Sequence, residues 1–380
     1  MADERRFGDG LAVGPDLEGA AEVAVAQALK PLDDARPDLL VVFVAAGGRG
    51  PDAAEVAVRH ATQLGGAATT VGATAGGVIG DGRGVEHGPA VAAWAAVLPD
   101  ARVTPFVLTA DLPHPLPDDR VGVLLVDPYT FPTGEFLARC NASRPGFPLI
   151  GGLASAGPGP GANRLFVDGE VHRQGAVGVL LGDKVDARVV VSQGCRPIGP
   201  PMVVTRAERN VLFELAGTPA YPRLVEIVTG LPAAERELAA RGLHLGVAID
   251  EYADEHGRGD FLIRGLIGAD DRTGAVAVGD VVEVGQTVQF QVRDAAGAGE
   301  DLVELLRDDS APDAPARGAL LFSCNGRGTA MFPSADHDVQ VVRNAFGGAG
   351  VAGFFAAGEI GPVGGVNHLH GFTASVLAFR

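Results

Sequence analysis

Cysteine is scarce in this chain, with only Cys140, Cys195 and Cys324 among 380 residues. Three scattered thiols build neither a disulfide framework nor a zinc ribbon, so a reducing cytoplasm is the expected home. Positive charge is also short: 30 Lys and Arg face 47 Asp and Glu, a formal net charge of −17 spread along the sequence. Nucleic acid is excluded as an electrostatic partner, because both surfaces would be negative. No segment supplies the roughly 20 uninterrupted apolar residues of a membrane helix, and Met1-Ala2-Asp3-Glu4-Arg5-Arg6 is not followed by the apolar core of a signal peptide. A soluble, unexported protein without membrane insertion is expected.

Glycine, at 55 residues, is abundant, and it sits at turns between apolar runs rather than in tracts. A local pattern recurs three times. A hydrophobic strand (Leu39 to Val44, Val121 to Val126, Ala319 to Ser323) leads through a helical stretch to a small-residue strand and a glycine turn. Those turns are Val71 to Gly77, Ile150 to Gly157 and Ala352 to Glu359, and the return strands are Pro89 to Leu98, Ala176 to Leu181 and Gly371 to Phe379. Each unit spans about 60 residues, but the units are unevenly spaced, which argues for a duplicated globular architecture and against a solenoid. A fourth, divergent copy is expected over Leu243 to Asp250, Phe261 to Gly268 and Gly279 to Arg293, making two related halves of paired repeats.

Helices are expected over 17–29, from Pro51 to Gly65, from Pro132 to about Asn141, over 223–228, 233–240 and 298–306, with a helix start at His337-Asp338. Asp168-Gly169 marks a tight hairpin because it supplies the positive backbone angles such turns need. Strands at 185–192 and 201–205 flank a turn at Gly194 to Gly199, and 308–316 reads as a polar loop. The expected class is α/β (α+β), two related domains of mixed sheets with helices outside in a layered sandwich. The boundaries are a lead-in helix in 1–33, a first domain in 34–221 and a second in 222–380.

Gly47-Gly48-Arg49-Gly50 follows a strand and precedes a helix, but it lacks the lysine and hydroxyl of a P-loop. The third repeat is chemically richer. Ser323-Cys324-Asn325-Gly326-Arg327-Gly328, Gly358-Glu359-Ile360-Gly361-Pro362 and Asn367-His368-Leu369-His370-Gly371 would converge at one sheet end, gathering a thiol, a guanidinium, a carboxylate and an imidazole. Arg327 could grip a ligand carboxylate and Glu359 an ammonium, or the two could pair with each other. Cys324 is either a nucleophile with His370 as base or a small buried thiol. Arg264 either faces solvent or enters the same pocket, and Arg196 serves a ligand or braces its turn. His87, His368 and His370 form a weak metal signal without a third ligand, and His337-Asp338 reads as an exposed polar pair.

The same turns, together with Arg264 to Gly268 and Gly285 to Asp294, resemble the C-terminal FIST domain; Val71 to Gly80 and Gly151-Gly152 resemble the N-terminal FIST domain. The resemblance implies a sensory signal-transduction module that binds small ligands, with amino acids as the proposed class, and binding without turnover. Carried over, it makes Cys324, Arg327, Glu359 and Asn367 the best pocket candidates; Asn325, Gly328, Gly361, His370 and Arg264 complete the expected ligand site, and no resident cofactor is expected. Some bacterial relatives resemble haem-containing nitric oxide sensors, so haem is the alternative ligand; a cysteine-dependent enzyme and an interaction scaffold are the others. The chain lengths on either side leave no space for an output domain, so a separate signalling protein is the expected partner.

Overall fold

The computed structural model describes residues 5–109, 119–251, 253, 256–257, 259–307 and 315–380. The chain divides into two compact units. One takes the residues up to 192 with 301–369 and 373–380, and the other takes 193–300 with 370–372. These units do not follow the sequence boundary at 221/222, because the last 80 or so residues fold largely with the N-terminal part.

The first unit opens with β1 (Arg6–Val13), α1 (Leu17–Leu29), β2 (Leu39–Ala46), α2 (Pro51–Gly65), β3 (Thr69–Thr74), β4 (Val78–Gly80), β5 (Arg83–Val85) and β6 (Pro89–Val97). It continues through β7 (Val103–Leu108), β8 (Asp119–Val126), α3 (Thr133–Ser143), β9 (Leu149–Leu153), β10 (Leu165–Val167), β11 (Glu170–His172), β12 (Ala176–Gly182) and β13 (Ala187–Gln193). The second unit supplies β14 (Cys195–Glu208), β15 (Val211–Leu215), β16 (Thr218–Pro219), α4 (Ala220–Gly230), α5 (Ala233–Arg241), β17 (Leu243–Ala248), β18 (Phe261–Asp270), β19 (Ala275–Val278) and β20 (Thr287–Arg293). Then come α6 (Ala295–Arg307), β21 (Gly318–Cys324), α7 (Gly328–Met331), α8 (His337–Ala345), β22 (Gly350–Ala356), β23 (Glu359–Val363), β24 (Val366–His370) and β25 (Thr373–Phe379). The loop expected over 308–316 lies, up to residue 314, outside the described residues.

The class is the mixed α/β expected from the sequence, and the three repeats are real. In each, the first strand pairs parallel with the second across a helical crossover: β2 with β3, β8 with β9, β21 with β22. Each return strand then pairs antiparallel with the first. The hairpin between second strand and return strand does not stay in its own sheet. β10–β11 extends the sheet β1-β6-β2-β3, β23–β24 extends β7-β12-β8-β9, and β4–β5 extends β13-β25-β21-β22. Each repeat thus lends two strands to a neighbour's sheet, and the exchange closes in a ring of three six-stranded sheets.

The hairpins share one turn chemistry. Asp81-Gly82, Asp168-Gly169 and Gly364-Gly365 all have positive φ at both positions, between 47° and 82°, as a type I′ turn requires. Inward side chains of the three sheets form one central core, including Leu39, Phe43, Trp94, Val123, Val177, Leu320, Phe354 and Phe379. Trp94 stacks against Phe7 and Phe379, and its Nε1 donates to the Gly350 carbonyl at 3.3 Å. Helices cover the outer faces: α1 and α2 on the first sheet, α3 on the second, and α8 with the end of α6 on the third.

The second unit corrects the expectation of a fourth repeat. β17 pairs antiparallel with both β18 and β20, without a parallel crossover, in a seven-stranded sheet. The turn expected over Gly194 to Gly199 is instead the start of β14, paired with β20 and bulged between Ile198 and Met202. Gly199 takes φ +65° there, which is the reason the sequence reads as a turn.

Candidate functional site

β21 is buried along its length and alternates faces, so Leu320 and Phe322 enter the central core while Leu321 faces the helices. The same alternation turns Cys324 inward and Ser323 outward. The chain then leaves the strand through a tight turn, with Arg327 N donating to Cys324 O at 2.8 Å and Asn325 N to Ala356 O at 2.9 Å.

Arg327 is fully buried and its fork is filled from within the protein. Nε and Nη2 donate to the two oxygens of Asp338 at 2.7 and 2.8 Å, and Ser323 Oγ donates to Oδ2 of the same carboxylate at 2.7 Å. Burial pushes the Asp338 carboxyl up, but the guanidinium and these hydrogen bonds outweigh it and hold the group far below the usual carboxylate range. The exposed polar pair expected at His337-Asp338 is therefore corrected: Asp338 is buried, and His337 stacks on Phe332 with ring centroids 3.6 Å apart. Neither ligand carboxylate nor Glu359 is the bidentate partner of Arg327.

Glu359 is also fully buried. In its strand it stands opposite Gly152, the position that Val78 and Leu165 occupy opposite Phe354 and Ala73 in the other two exchanged hairpins. Two repeats place an aliphatic residue into the central core there, and the third places a carboxyl. Oε2 accepts from Thr373 Oγ1 at 2.8 Å and Thr373 N at 3.2 Å, whereas Oε1 meets no N–H or O–H donor among the described residues. The Cys324 thiol, a weak donor, is within reach of the carboxyl. Burial dominates and pushes Glu359 up to about 8, so it is mostly neutral at pH 7.

A cavity of about 130 Å³ adjoins this turn, lined by Gly76, Gly77, Glu86, His87, Ser155, Asn325 and Phe355. All three repeats contribute. Ser155 Oγ accepts from Gly76 N at 3.0 Å and donates to the Phe355 carbonyl at 2.5 Å, tying the three glycine turns together at one edge. Glu86 accepts from Thr329 N and Oγ1 at 3.1 and 2.5 Å, and a Cβ at Gly328 would collide with its carboxylate.

The structure disperses the other residues singled out from the sequence. Asn367 clamps β24 through Asn141, the Phe147 carbonyl and Leu149 N, all at 2.8 to 2.9 Å. Gly361 packs on Val191. In the second unit, Arg264 pairs with Asp280 at 2.6 Å and Arg196 braces Asp294 at 3.1 Å, while His370 is buried. No cluster of three or more His, Cys, Asp or Glu placed to hold a metal occurs among the described residues, and no helix there is long and apolar enough to cross a membrane. Sequence reasoning missed Asp338 as the partner of Arg327, and Thr373, Glu86 and Ser155, which are single polar residues without a motif of their own.

The FIST N domain matches residues 38–218 and the FIST C domain residues 220–362. An uncharacterized protein of Mycobacterium tuberculosis is 44% identical over 384 residues, covering 98% of this chain and 99% of its own. One from Mycobacterium bovis is 43% identical over 385 residues, with 98% of each chain covered. The chain belongs to the FIST family, whose paired domains are associated with sensing in signal transduction.

Proposed function

We propose that this protein is a sensor that binds a small polar metabolite, of the size and chemistry of the smaller amino acids, without turning it over. The observation that carries the reading is the cavity of about 130 Å³ at the edge where the three repeats meet. A cavity near 150 Å³ holds a molecule of about six heavy atoms, which suits alanine or serine. Its lining offers a carboxylate (Glu86), an imidazole (His87), a hydroxyl (Ser155) and an amide (Asn325) around exposed glycine backbone. In this reading Glu86 faces the ligand ammonium, and Asn325 with His87 face its carboxylate. The signal passes to a separate output protein.

The test is a thermal-shift screen of the whole protein against amino acids, small organic acids and haem. A small amino acid raises Tm by several degrees at saturating concentration, and both His87→Ala and Asn325→Ala, at exposed positions, abolish the shift without lowering the ligand-free Tm. Stabilisation by haem alone, or by an amino acid equally in both variants, sinks the proposal.

A further inference from the structure

The geometry points to Cys324 as a peroxide-reactive thiol served by Glu359, a modification site that does not depend on the ligand reading above. The carboxyl beside it sets Cys324 apart from Cys140, and two further features bear on its sulfur. Its sulfur accepts from Gly326 N at 3.4 Å, and it lies close enough to Arg327 for a thiolate to feel the guanidinium charge. Both favour a negative sulfur, while the burial of Cys324 opposes it. A carboxyl stands within its reach, and that carboxyl keeps Oε1 without an N–H or O–H donor among the described residues although the side chain is fully buried. Ser375 Oγ, on the same face of β25 as Thr373, is likewise buried and without a partner there. Unfilled polar atoms of this kind call for a small polar guest. Asn325, the next residue in the chain, lines the 130 Å³ cavity.

The step balances without a cofactor. The Cys324 thiolate attacks one peroxide oxygen, the S–O bond forms and the O–O bond breaks. Sulfur loses two electrons to the peroxide. The departing hydroxide takes the proton of the Glu359 carboxyl and leaves as water, giving a sulfenic acid at Cys324 and a carboxylate at Glu359. A buried Glu359, held in its acid form near neutral pH, is suited to that donation. Cys140 is the internal contrast: burial pushes its thiol up to about 11, and no carboxyl adjoins it in the way Glu359 adjoins Cys324 among the described residues.

The experiment treats the whole protein with hydrogen peroxide, traps sulfenic acid with dimedone and reads each cysteine peptide by mass spectrometry. Cys324 is expected to gain the adduct at least about tenfold faster than Cys140 and Cys195, and Glu359→Gln to slow it by about tenfold or more. Equal rates at all three cysteines, or no adduct at Cys324, overturn the proposal in the unmodified protein, whatever the folding of the variant. A folded Glu359→Gln protein oxidised at the wild-type rate removes the role of Glu359 and overturns it as well.

Discussion

Asp338 receives both ends of the Arg327 guanidinium, at 2.7 and 2.8 Å, with the two side chains 5% and 0% exposed. The pair fastens the turn after β21 to the first turn of α8, and so fixes the backbone that carries Cys324 and Asn325. Breaking a buried ion pair from one side strands a charge, at about 3–5 kcal/mol. Arg327→Ala is therefore expected to lower Tm by roughly 10 °C. The double change Arg327→Met with Asp338→Leu is expected to recover most of that loss, as read by differential scanning fluorimetry.

Glu359 gives the opposite pH signature to Asp338. Its folded value, about 8, stands above the ordinary carboxylate range, so its stabilising contribution is complete below that range and is lost as pH rises towards 8. Asp338 is depressed in the fold, so its contribution is present at neutral pH and is lost on acidification. Of the titratable groups facing Glu359, the Cys324 thiol acts through a hydrogen bond and Arg327 through its charge, and both lower the group against the effect of burial. The Tm of the wild type is expected to fall by roughly 5 °C or more between pH 5 and pH 9, and Glu359→Gln to flatten that slope. A wild-type Tm that rises across this interval refutes the assignment.

Gly72, Gly151 and Gly353 hold the same place in the second strand of each repeat, and a Cβ at any of them would run into the carbonyl of Val42, Leu124 or Leu321 on the parallel neighbour. Gly353→Val is expected to abolish soluble expression, because backbone cannot yield as a side chain can. Gly134, in α3, has nothing within 4 Å of its Cβ position. Gly134→Ala should stabilise by about 0.5–1 kcal/mol, measured by urea unfolding.

Gly169 sits at φ +82° in the β10–β11 turn, and Asp168 Oδ1 accepts from Thr70 N at 2.7 Å, pinning the exchanged hairpin to the neighbouring repeat. Gly169→Val is expected to cost about 1–2 kcal/mol from backbone strain. Hydrogen exchange should speed up first in β10 and β11.

In the second unit, burial pulls His244 down to about 4, with the Arg293 charge adding to the effect. Its ring meets Phe372 edge-on at 4.2 Å. A depressed histidine favours the fold above its ordinary range and opposes it as pH falls below that range. His244→Phe is expected to remove this loss, so the variant gains on the wild type between pH 6 and pH 4 in thermal unfolding.

The repeats were legible because their cause is local. Strand, helix, small strand and glycine turn follow from hydrophobic periodicity and from turn residues such as Asp168-Gly169, and α1 and α2 lie where the pattern puts them. The Gly194 to Gly199 segment misled because Gly194, Pro197 and Gly199 signal a turn, while pairing with β20 makes the segment a bulged strand. The fourth copy misled for a related reason: apolar strands separated by glycine look alike whether they pair in parallel or as an antiparallel meander.

The sequence by itself determined the mixed α/β class, the three repeats and the chemical richness of the third, because each rests on residues close together along the chain. Only the tertiary structure decided what those residues meet. The exchange of hairpins around three sheets carries Glu359 into a place where Val78 and Leu165 are apolar. It joins Gly76, Ser155 and Asn325 at one cavity, while the fold of β21 against α8 gives Arg327 to Asp338. Such contacts are set by which strand edges pair across long stretches of chain, and local pattern holds no record of that choice.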